Sequence, residues 1–497
     1  MSNLFQLINT YLGNGKSSTD NKYKPLNPSQ YAAYNRFRPE GSKPIFCYLP
    51  FNSLTFSMSG NVYVCNYNKN ILLGRYPENT ITEIWKSDQA LKLRGHMRNN
   101  DLEYGCNHCK FYFDKGKFTN LRPLAFDKYH TSTSADFPLV MEFELSNECN
   151  LECQMCNGNV SSSIRKKRDN LPPLHNPYDA EFVVQLEPYI LKLREAKFYG
   201  GEPFLIPIYY KIWERLTEVN PSCNIFLITN GTHWNSKIKK LIEDLNLDIA
   251  ISIDSLQKER LESIRKNANF ENLIENIALF NEVLQKKGKT LSLSFTIQQE
   301  NWQELPTFIN YCNEIKASVY ISYIDSPKKY AISELKNESL QQILEELSPI
   351  LLPSNSALEQ HNAQCLKDFL TYVRKYLENE KEPQYEDYAY FPEYLNEEAR
   401  LLLKSHPLIK VRKPLSRDEL QLAIDHYLKK NTLPFSASDL VNRIDKVYFE
   451  VPMKDKPKIY GMIYQNNLSK TLQLLCDKDI EELREMALWQ VPLIIIE

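Results

Sequence analysis

The stretch LDIAISIDS (247–255) alternates apolar and polar side chains. Its isoleucines share one face and Ser252 and Asp254 share the other, because successive side chains of a strand point to opposite faces. The stretch LSLSFTIQ (291–298) repeats this alternation. A parallel sheet covered by helices on both faces would be apolar throughout. The pattern therefore predicts a curved sheet that packs on helices outside and lines a polar cavity inside.

Six β-rich runs alternate with longer helical segments along the middle of the chain. The runs are LVMEFELS (139–146), AKFYGGEP (196–203), NIFLITNG (224–231), LDIAISIDS (247–255), LSLSFTIQ (291–298) and SVYISYID (318–325). Strands that alternate with helices form crossover units and a parallel sheet. The predicted fold class is therefore α/β, with a partial (β/α)6 TIM-like barrel over residues 131–330. By analogy with complete barrels, chemistry is expected at the carboxyl ends of the strands.

Two units are predicted ahead of the barrel. Residues 1–36 are polar and without sustained periodicity, so they are predicted to be a flexible segment. Residues 37–130 are predicted to form a small α+β module, with a hairpin at 53–65 and one helix at 80–99 that Thr80 caps. The module carries the cysteines Cys47, Cys65, Cys106 and Cys109.

Residues 331–497 are predicted to form a mainly helical C-terminal domain. Helices are expected at 333–351, 366–380, 416–431 and 478–490. The tyrosine-rich acidic stretch 383–395 is predicted to be a surface loop, with a cover over the barrel mouth as the alternative. The runs 446–453 and 458–465 are candidates for a hairpin.

Composition restricts the classes of partner. The chain has 497 residues, is 42% hydrophobic and 25% charged, and has a formal net charge of −2, so nucleic acid is not an expected partner. The sequence shows no signal-peptide pattern and no apolar run of about 20 residues, so no membrane is expected and the cytoplasm is the expected location. Eleven cysteines in that compartment are expected to be reduced, and clustered ones to bind metal.

Three cysteines, Cys149, Cys153 and Cys156, directly follow the first barrel strand in the stretch SNECNLECQMCNG (146–158). Thiolates bind zinc ions and iron–sulfur clusters. Structural zinc takes four protein ligands, one more than this triplet supplies. A four-iron cluster on three thiolates leaves one iron open to a substrate or cofactor. Structural zinc stays the alternative on the spacing alone.

The order of the motifs resembles the radical S-adenosylmethionine (radical SAM) enzymes. C-x3-C-x2-C follows the first strand, and GGEP (200–203), TNG (229–231) and SIDS (252–255) come on the next three strands. The resemblance covers roughly 139–325. It implies that the triplet is catalytic and holds a [4Fe–4S] cluster, and that S-adenosylmethionine (SAM) binds the open iron.

The resemblance also implies which residues contact SAM. Glycines permit close backbone approach, and Glu202 is expected to accept charge-assisted hydrogen bonds from the methionine ammonium. Met155 stands where the family usually has an aromatic residue, and the adenine contact is expected there. The implied SAM-binding residues are Met155, Gly200, Gly201, Glu202, Thr229, Asn230, Ser252 and Asp254.

The cysteines of the N-terminal module supply four metal ligands, among them the C-x2-C pair Cys106 and Cys109. Four thiolates suit either a fully ligated four-iron cluster or a zinc ion. The order of Cys47, a hairpin that ends at Cys65 and CNHC resembles the auxiliary-cluster modules called SPASM or twitch, which usually follow the barrel. The resemblance implies one auxiliary [4Fe–4S] cluster ahead of the barrel, for electron transfer or for structural support.

The resemblance further implies the reaction. SAM would be cleaved reductively to methionine and a 5′-deoxyadenosyl radical, which abstracts a hydrogen atom from the substrate. The expected substrate is a peptide or protein that is cross-linked, epimerised or oxidised, and the alternative is a sugar or cyclitol. A low-potential donor such as flavodoxin or ferredoxin is the expected redox partner. The non-enzymatic alternative is an iron–sulfur or zinc protein that senses redox state or carries electrons.

Two carboxylates, Glu142 and Glu144, lie on the polar face of the first strand. Glu144 is nearer the triplet and is a candidate substrate or proton contact, with a buried ion pair as the alternative. Lys197 and Tyr199 on the second strand have the same two interpretations. Four further cysteines are expected to pack in apolar surroundings, namely Cys223, Cys312, Cys365 and Cys476.

Overall fold

The computed structural model describes residues 23–129, 136–324, 327–378, 416–431, 436–447 and 472. Its strands are β1 (Ser53–Phe56), β2 (Asn61–Tyr63), β3 (Gly74–Arg75), β4 (Val140–Phe143), β5 (Glu195–Phe198), β6 (Asn224–Thr229), β7 (Leu247–Ser252), β8 (Ser292–Ile297) and β9 (Ser318–Tyr323). In these residues the strands form a single nine-stranded sheet in the order β3-β2-β1-β4-β5-β6-β7-β8-β9.

The helices alternate with the strands from β4 onward. They are α1 (Pro28–Phe37), α2 (Leu49–Asn52), α3 (Ile81–Trp85), α4 (Asp88–Arg98), α5 (Asn107–Asp114), α6 (Ser162–Lys167), α7 (Ala180–Ile190), α8 (Pro207–Val219), α9 (Ser236–Asp244), α10 (Lys258–Ile264), α11 (Phe270–Lys286), α12 (Leu305–Glu314), α13 (Asn337–Leu347), α14 (Ala357–Leu377), α15 (Arg417–Asn431) and α16 (Ala437–Val447). Among them, none is both long enough and apolar enough to cross a membrane.

Strands β4 to β9 are the six predicted barrel strands. They pair parallel and in chain order, with helices in the connections. The α/β fold class with a partial barrel is therefore confirmed.

The two faces of the barrel strands differ as the alternation predicts. Glu142, Lys197 and Phe226 are paired across β4, β5 and β6, so they lie side by side on the inner face. Phe198 lies on the outer face, is fully buried and contacts Trp213 of α8, with ring centroids 5.4 Å apart. Helices therefore cover the apolar face, while the polar face is turned to the inside of the curved sheet.

The N-terminal hairpin belongs to the same sheet as the barrel. β1 pairs antiparallel with β2, as predicted, and its other edge pairs parallel with β4. The register runs from Ser53 opposite Val140 to Phe56 opposite Phe143. The module and barrel, predicted as separate units that meet at residue 130, thus share one continuous sheet.

The prediction of a flexible segment is wrong for residues 28–36, which form most of α1. The Asn27 side chain caps this helix by accepting two backbone N–H groups of the first turn. Tyr34 is fully buried and packs on Phe46, with ring centroids 5.0 Å apart. The low overall hydrophobicity of the segment led to the wrong prediction. One face of the helix is aromatic, and this face packs on the module. Residues 1–22 lie outside the described residues.

The single helix predicted at 80–99 is two helices, α3 and α4. Thr80 caps α3 and forms a capping box with Glu83, as its position suggests. Ser87 then caps α4 by accepting a hydrogen bond from Ala90 N at 3.3 Å. A second cap in the middle of the periodic run therefore divides it.

The C-terminal helices agree in part with the predictions. α13 lies within 333–351 and α15 matches 416–431, whereas α14 begins at Ala357 because Ser356 forms a capping box there. α16 adds a helix where none was predicted. The tyrosine-rich stretch, nearly all of the hairpin candidate and the last predicted helix lie outside the described residues.

Candidate active site

The cysteine triplet lies in the loop that follows β4, at the carboxyl end of the sheet. Glu152 N donates a hydrogen bond to Lys266 O at 2.9 Å, just after α10. Cys149 N donates to Ser162 Oγ, in the first turn of α6, at 3.1 Å. Two helix ends therefore fix the loop in the position where a barrel places its chemistry.

The thiols of the triplet differ in their surroundings. Cys153 is buried, while Cys149 and Cys156 are half-buried. Burial raises the pKa of Cys149 to about 11. A hydrogen bond from the Cys156 thiol and the nearby Arg265 guanidinium lower the pKa of Cys153, against the effect of burial. Because the thiolate is the form that binds metal, the site favours that form most at Cys153.

The two glycines of GGEP contact the cysteine loop. Gly200 has a φ of +109°, and a Cβ there would lie 2.5 Å from Ser146 O. A Cβ on Gly201 would lie 2.2 Å from Glu148 O. Gly201 N donates to Ser146 O at 3.0 Å, and Glu202 N donates to Glu148 O at 2.7 Å. The two glycines thus let the backbone approach the loop that carries the triplet, whereas their contact with SAM stays a prediction.

Glu202 joins the GGEP and TNG motifs. Its carboxylate is fully buried and accepts hydrogen bonds from Thr229 Oγ1 at 2.7 Å, Asn230 N at 2.7 Å and Phe204 N at 3.1 Å. Burial raises the pKa of Glu202 to about 6, although these hydrogen bonds oppose the shift. The Glu202 carboxylate therefore fixes the TNG loop, and its contact with the SAM ammonium stays a prediction.

The side chain of Asn230 reaches the triplet. Its Nδ2 donates to Asn150 Oδ1 at 3.0 Å and lies 4.0 Å from Cys149 Sγ. Its Oδ1 accepts from Thr232 N at 3.0 Å. The third barrel strand therefore ends against the first cysteine of the triplet.

Asp254 of the SIDS motif forms a buried ion pair that the sequence analysis missed. Its Oδ2 is 2.7 Å from Arg265 Nε, and its Oδ1 accepts from Thr296 N at 2.8 Å. Arg265 Nη1 is 4.0 Å from Cys153 Sγ. A buried aspartate needs a cationic partner, and this requirement is the signal that could have pointed to an arginine just after the helix that follows.

The predicted SAM residues are placed around one end of the barrel. Met155 is half-buried inside the triplet loop, and Ser252 is half-buried at the end of β7. The others follow β5, β6 and β7, at the same edge of the sheet. In the described ranges, no three His, Cys, Asp or Glu side chains have the geometry of a single-ion site. Three thiols beside a buried guanidinium fit an anionic iron–sulfur cluster, because the cation offsets its charge.

The four N-terminal cysteines line one cavity. Cys47 and Cys65 are buried and Cys106 and Cys109 are half-buried, and burial raises the pKa of all four thiols. Asn68 Nδ2 lies 3.5 Å from Cys106 Sγ, within reach of a hydrogen bond to sulfur. Four thiols around one cavity fit an auxiliary cluster, because its irons would replace the protons that burial retains.

A charged network on the inner face of the sheet begins at the same cavity. Arg122, which lines the cavity, is 2.6 Å from Glu142 through its Nη2. Lys197 Nζ is 3.3 Å from Glu142 and 3.0 Å from Glu195. Lys197 is thus a member of an ion-pair network, one of its two predicted roles. Arg122 was missed by the sequence analysis, since nothing in its local sequence marks it.

Glu144 differs from Glu142 in its surroundings. It is half-buried, and its carboxylate has no ion pair among the described residues. Burial raises the pKa of Glu144, against the effect of Lys69. The buried ion pair that was the alternative role for Glu144 is thus found at Glu142 instead. The carboxylate of Glu144 is open to another contact.

Two segments of the chain match known families. Residues 143–312 match the radical SAM superfamily, and residues 47–110 match the SPASM iron–sulfur cluster-binding domain. These domains imply a [4Fe–4S] cluster with SAM in the first and an auxiliary iron–sulfur cluster in the second.

Curated relatives include two proteins named GTP 3′,8-cyclase. The one from Clostridium botulinum is 23% identical over 215 residues, which are 42% of this chain and 65% of the relative. The one from Limosilactobacillus fermentum is 26% identical over 204 residues, which are 40% of this chain and 57% of the relative. The chain thus spans less than two thirds of the length of either relative.

Solved structures with similarity include Streptococcus suis SuiB bound to S-adenosylmethionine, with a TM-score of 0.30 and 16% identity over 48% of this chain and 49% of that one. Another is anSMEcpe with bound AdoMet, with a TM-score of 0.33 and 18% identity over 42% of this chain and 57% of that one. The family matches show that the chain contains a radical SAM domain at residues 143–312 and, ahead of it, a SPASM iron–sulfur cluster-binding domain at residues 47–110.

Proposed function

We propose that this chain is an enzyme that uses SAM at the Cys149, Cys153 and Cys156 site to start radical chemistry on a peptide or protein. The observation that carries the proposal is the meeting of the triplet with GGEP, TNG and Asp254 at one end of the barrel. The matched radical SAM domain supports the same activity. A low-potential donor such as flavodoxin or ferredoxin would supply the electron, and the proposed location is the cytoplasm.

The cluster and SAM, when bound, would supply a 5′-deoxyadenosyl radical that abstracts a hydrogen atom from the substrate. The residues of the chain hold and orient these groups. Gly200 and Gly201 let the β5 loop pack on the triplet loop, and Glu202 holds the TNG loop in place. Arg265 offsets negative charge beside Cys153.

Glu144 is the proposed proton acceptor from the substrate. It comes two positions after Glu142, so strand alternation predicts that it shares the inner face, and it is five positions before Cys149 in the sequence. Burial raises the pKa of Glu144, which brings this carboxylate closer to the pH at which it can both take up and release a proton.

The SPASM match favours a peptide or protein substrate, because auxiliary-cluster enzymes of the family this chain resembles often modify peptides. The relatives named GTP 3′,8-cyclase favour a second candidate, a small molecule that contains a sugar, such as a nucleoside triphosphate. Faster SAM cleavage on addition of GTP, with loss of GTP, would support the second candidate. A change in mass of a peptide encoded beside the gene would support the first.

Anaerobic reconstitution with iron, sulfide, SAM and dithionite tests the activity. We expect 5′-deoxyadenosine, measured by liquid chromatography and mass spectrometry. A variant with Cys149, Cys153 and Cys156 all replaced by alanine should lose at least a hundredfold of this product. Cys223→Ala, at a buried cysteine outside both sets, is the matched control and should retain it. Undiminished cleavage in the triple variant would refute the site, and zinc without cleavage would support a non-enzymatic metal protein.

A further inference from the structure

Arg122 stands between the auxiliary-cluster cavity and the inside of the barrel. It lines the cavity together with the four cysteines, and among the lining residues it carries the positive charge. It begins the 3₁₀ helix Arg122–Tyr129, and its guanidinium lies over the Phe126 ring, 4.7 Å from the centroid. The aromatic contact and the fold of the helix fix the cation at the wall of the cavity.

The partner of Arg122 belongs to the barrel. Glu142 is in the middle of β4, the strand that leads to the triplet, and only 2% of the residue is exposed. Its Oε1 is 2.6 Å from Arg122 Nη2 and 3.3 Å from Lys197 Nζ. Its Oε2 is buried without a hydrogen-bond partner among the described residues. The pair therefore spans from the cysteine cavity to the interior face of the sheet.

Charges fixed beside an iron–sulfur cluster change its reduction potential, because reduction adds negative charge to an already anionic cluster. A nearby cation stabilises the reduced form and raises the potential, and a nearby carboxylate does the opposite. Arg122 lines the same cavity as Cys65 and Cys109, so its charge lies beside the space that the cluster would occupy. Glu142 and Cys65 are buried and Arg122 and Cys109 are half-buried, so water screens their interaction less than it would at the surface.

We propose that Arg122 and Glu142 set the reduction potential of the auxiliary cluster in opposite directions, and so couple that potential to the charge inside the barrel. The inference rests on the auxiliary cluster of the proposed function. A bound substrate could bring a cation or a proton to the buried Oε2 of Glu142. The negative charge of this carboxylate, and with it the attraction to Arg122, would then be weaker. The auxiliary cluster would then be easier to reduce when the barrel is occupied.

The test uses the full chain with Cys149, Cys153 and Cys156 replaced by alanine, so that the auxiliary cluster is the cluster observed. Iron and sulfide analysis first establishes loading. The cluster is then titrated with dithionite at poised potentials and followed by electron paramagnetic resonance. In this background Arg122→Met should make the potential more negative and Glu142→Gln should make it more positive. The expected change is on the order of tenfold in the ratio of reduced to oxidised cluster, or about 59 mV for one electron.

Two further variants separate charge from structure. Arg122→Lys keeps the charge and should remain near the parent potential. Lys115→Met removes a positive charge from the exposed end of α5, the helix that contains Cys109, and should leave the potential unchanged because water screens it. Equal shifts in Arg122→Met and Lys115→Met, or shifts of the same sign in Arg122→Met and Glu142→Gln, would overturn the proposal. Zinc in place of iron would overturn the auxiliary cluster itself, whereas a loaded cluster of unchanged potential would overturn only the role of the pair.

Discussion

A methyl group added to Gly201 would collide with the backbone of the triplet loop. The nearest atom, Glu148 O, would lie 2.2 Å away, and a backbone carbonyl cannot turn aside as a long side chain can. We therefore expect Gly201→Ala to displace the loop, to lose most of the iron bound by the triplet and to destabilise the fold by about 1–3 kcal/mol. Iron analysis and urea unfolding measure the two effects.

Gly95 in α4 provides the matched control for Gly201→Ala. A Cβ at Gly95 would lie 3.2 Å from the hydroxyl of Tyr23, a side-chain atom that can move. Alanine also favours a helix interior over glycine by about 1 kcal/mol. Gly95→Ala should therefore keep both iron and stability. Full iron content in Gly201→Ala would contradict the contact between the GGEP and triplet loops.

The site residues that could be predicted are those with a fixed spacing in the sequence. The triplet and the motifs after β5, β6 and β7 have such spacings, and the strand order brings them to one edge. Arg265 and Arg122 could not be found in this way, because a charge partner can come from any element that packs nearby. Glu202 could be predicted as a site residue from its motif. Its hydrogen bonds to the TNG loop could not, because they depend on which strand lies next to it in the sheet.

Helix α1 lies in a polar segment, yet one buried side chain holds it on the N-terminal module. Tyr34 is fully buried, whereas Phe37 on the same helix is 45% exposed. Tyr34→Ala should destabilise the protein by about 3–5 kcal/mol, because it leaves a cavity beneath the helix. Phe37→Ala should cost less than 1 kcal/mol. Urea unfolding measures both, and equal losses would contradict the docking of α1.

The barrel strands could be predicted because alternation is a local signal that each strand carries by itself. The single helix predicted at 80–99 is divided at Ser87 by a capping hydrogen bond. The periodic pattern of apolar residues continues through this position and therefore does not reveal the division. The pairing of β1 with β4 could not be predicted, because it joins segments far apart in the sequence and leaves no pattern in either one.

Because one sheet runs through the module and the barrel, the stability of the barrel depends on the N-terminal module. Without β1, the strand β4 would become an exposed edge, and the Phe143 ring would lose its stacked partner Phe56, whose centroid is 5.5 Å away. A fragment of residues 131–378 is therefore expected to aggregate, whereas one of residues 23–378 should be monodisperse. Size-exclusion chromatography at matched concentrations compares them, and a monodisperse short fragment would contradict this dependence.

The position of the hairpin also has a consequence for the order of events during synthesis. Because the chain emerges from its N-terminus, β1 and β2 can pair before any barrel strand has been made. The free edge of β1 is then a ready template, and β4 is the first parallel strand to reach it. We expect the barrel to grow outward from that edge, one crossover unit at a time, so that the strand leading into the triplet is aligned before the strands that later enclose it.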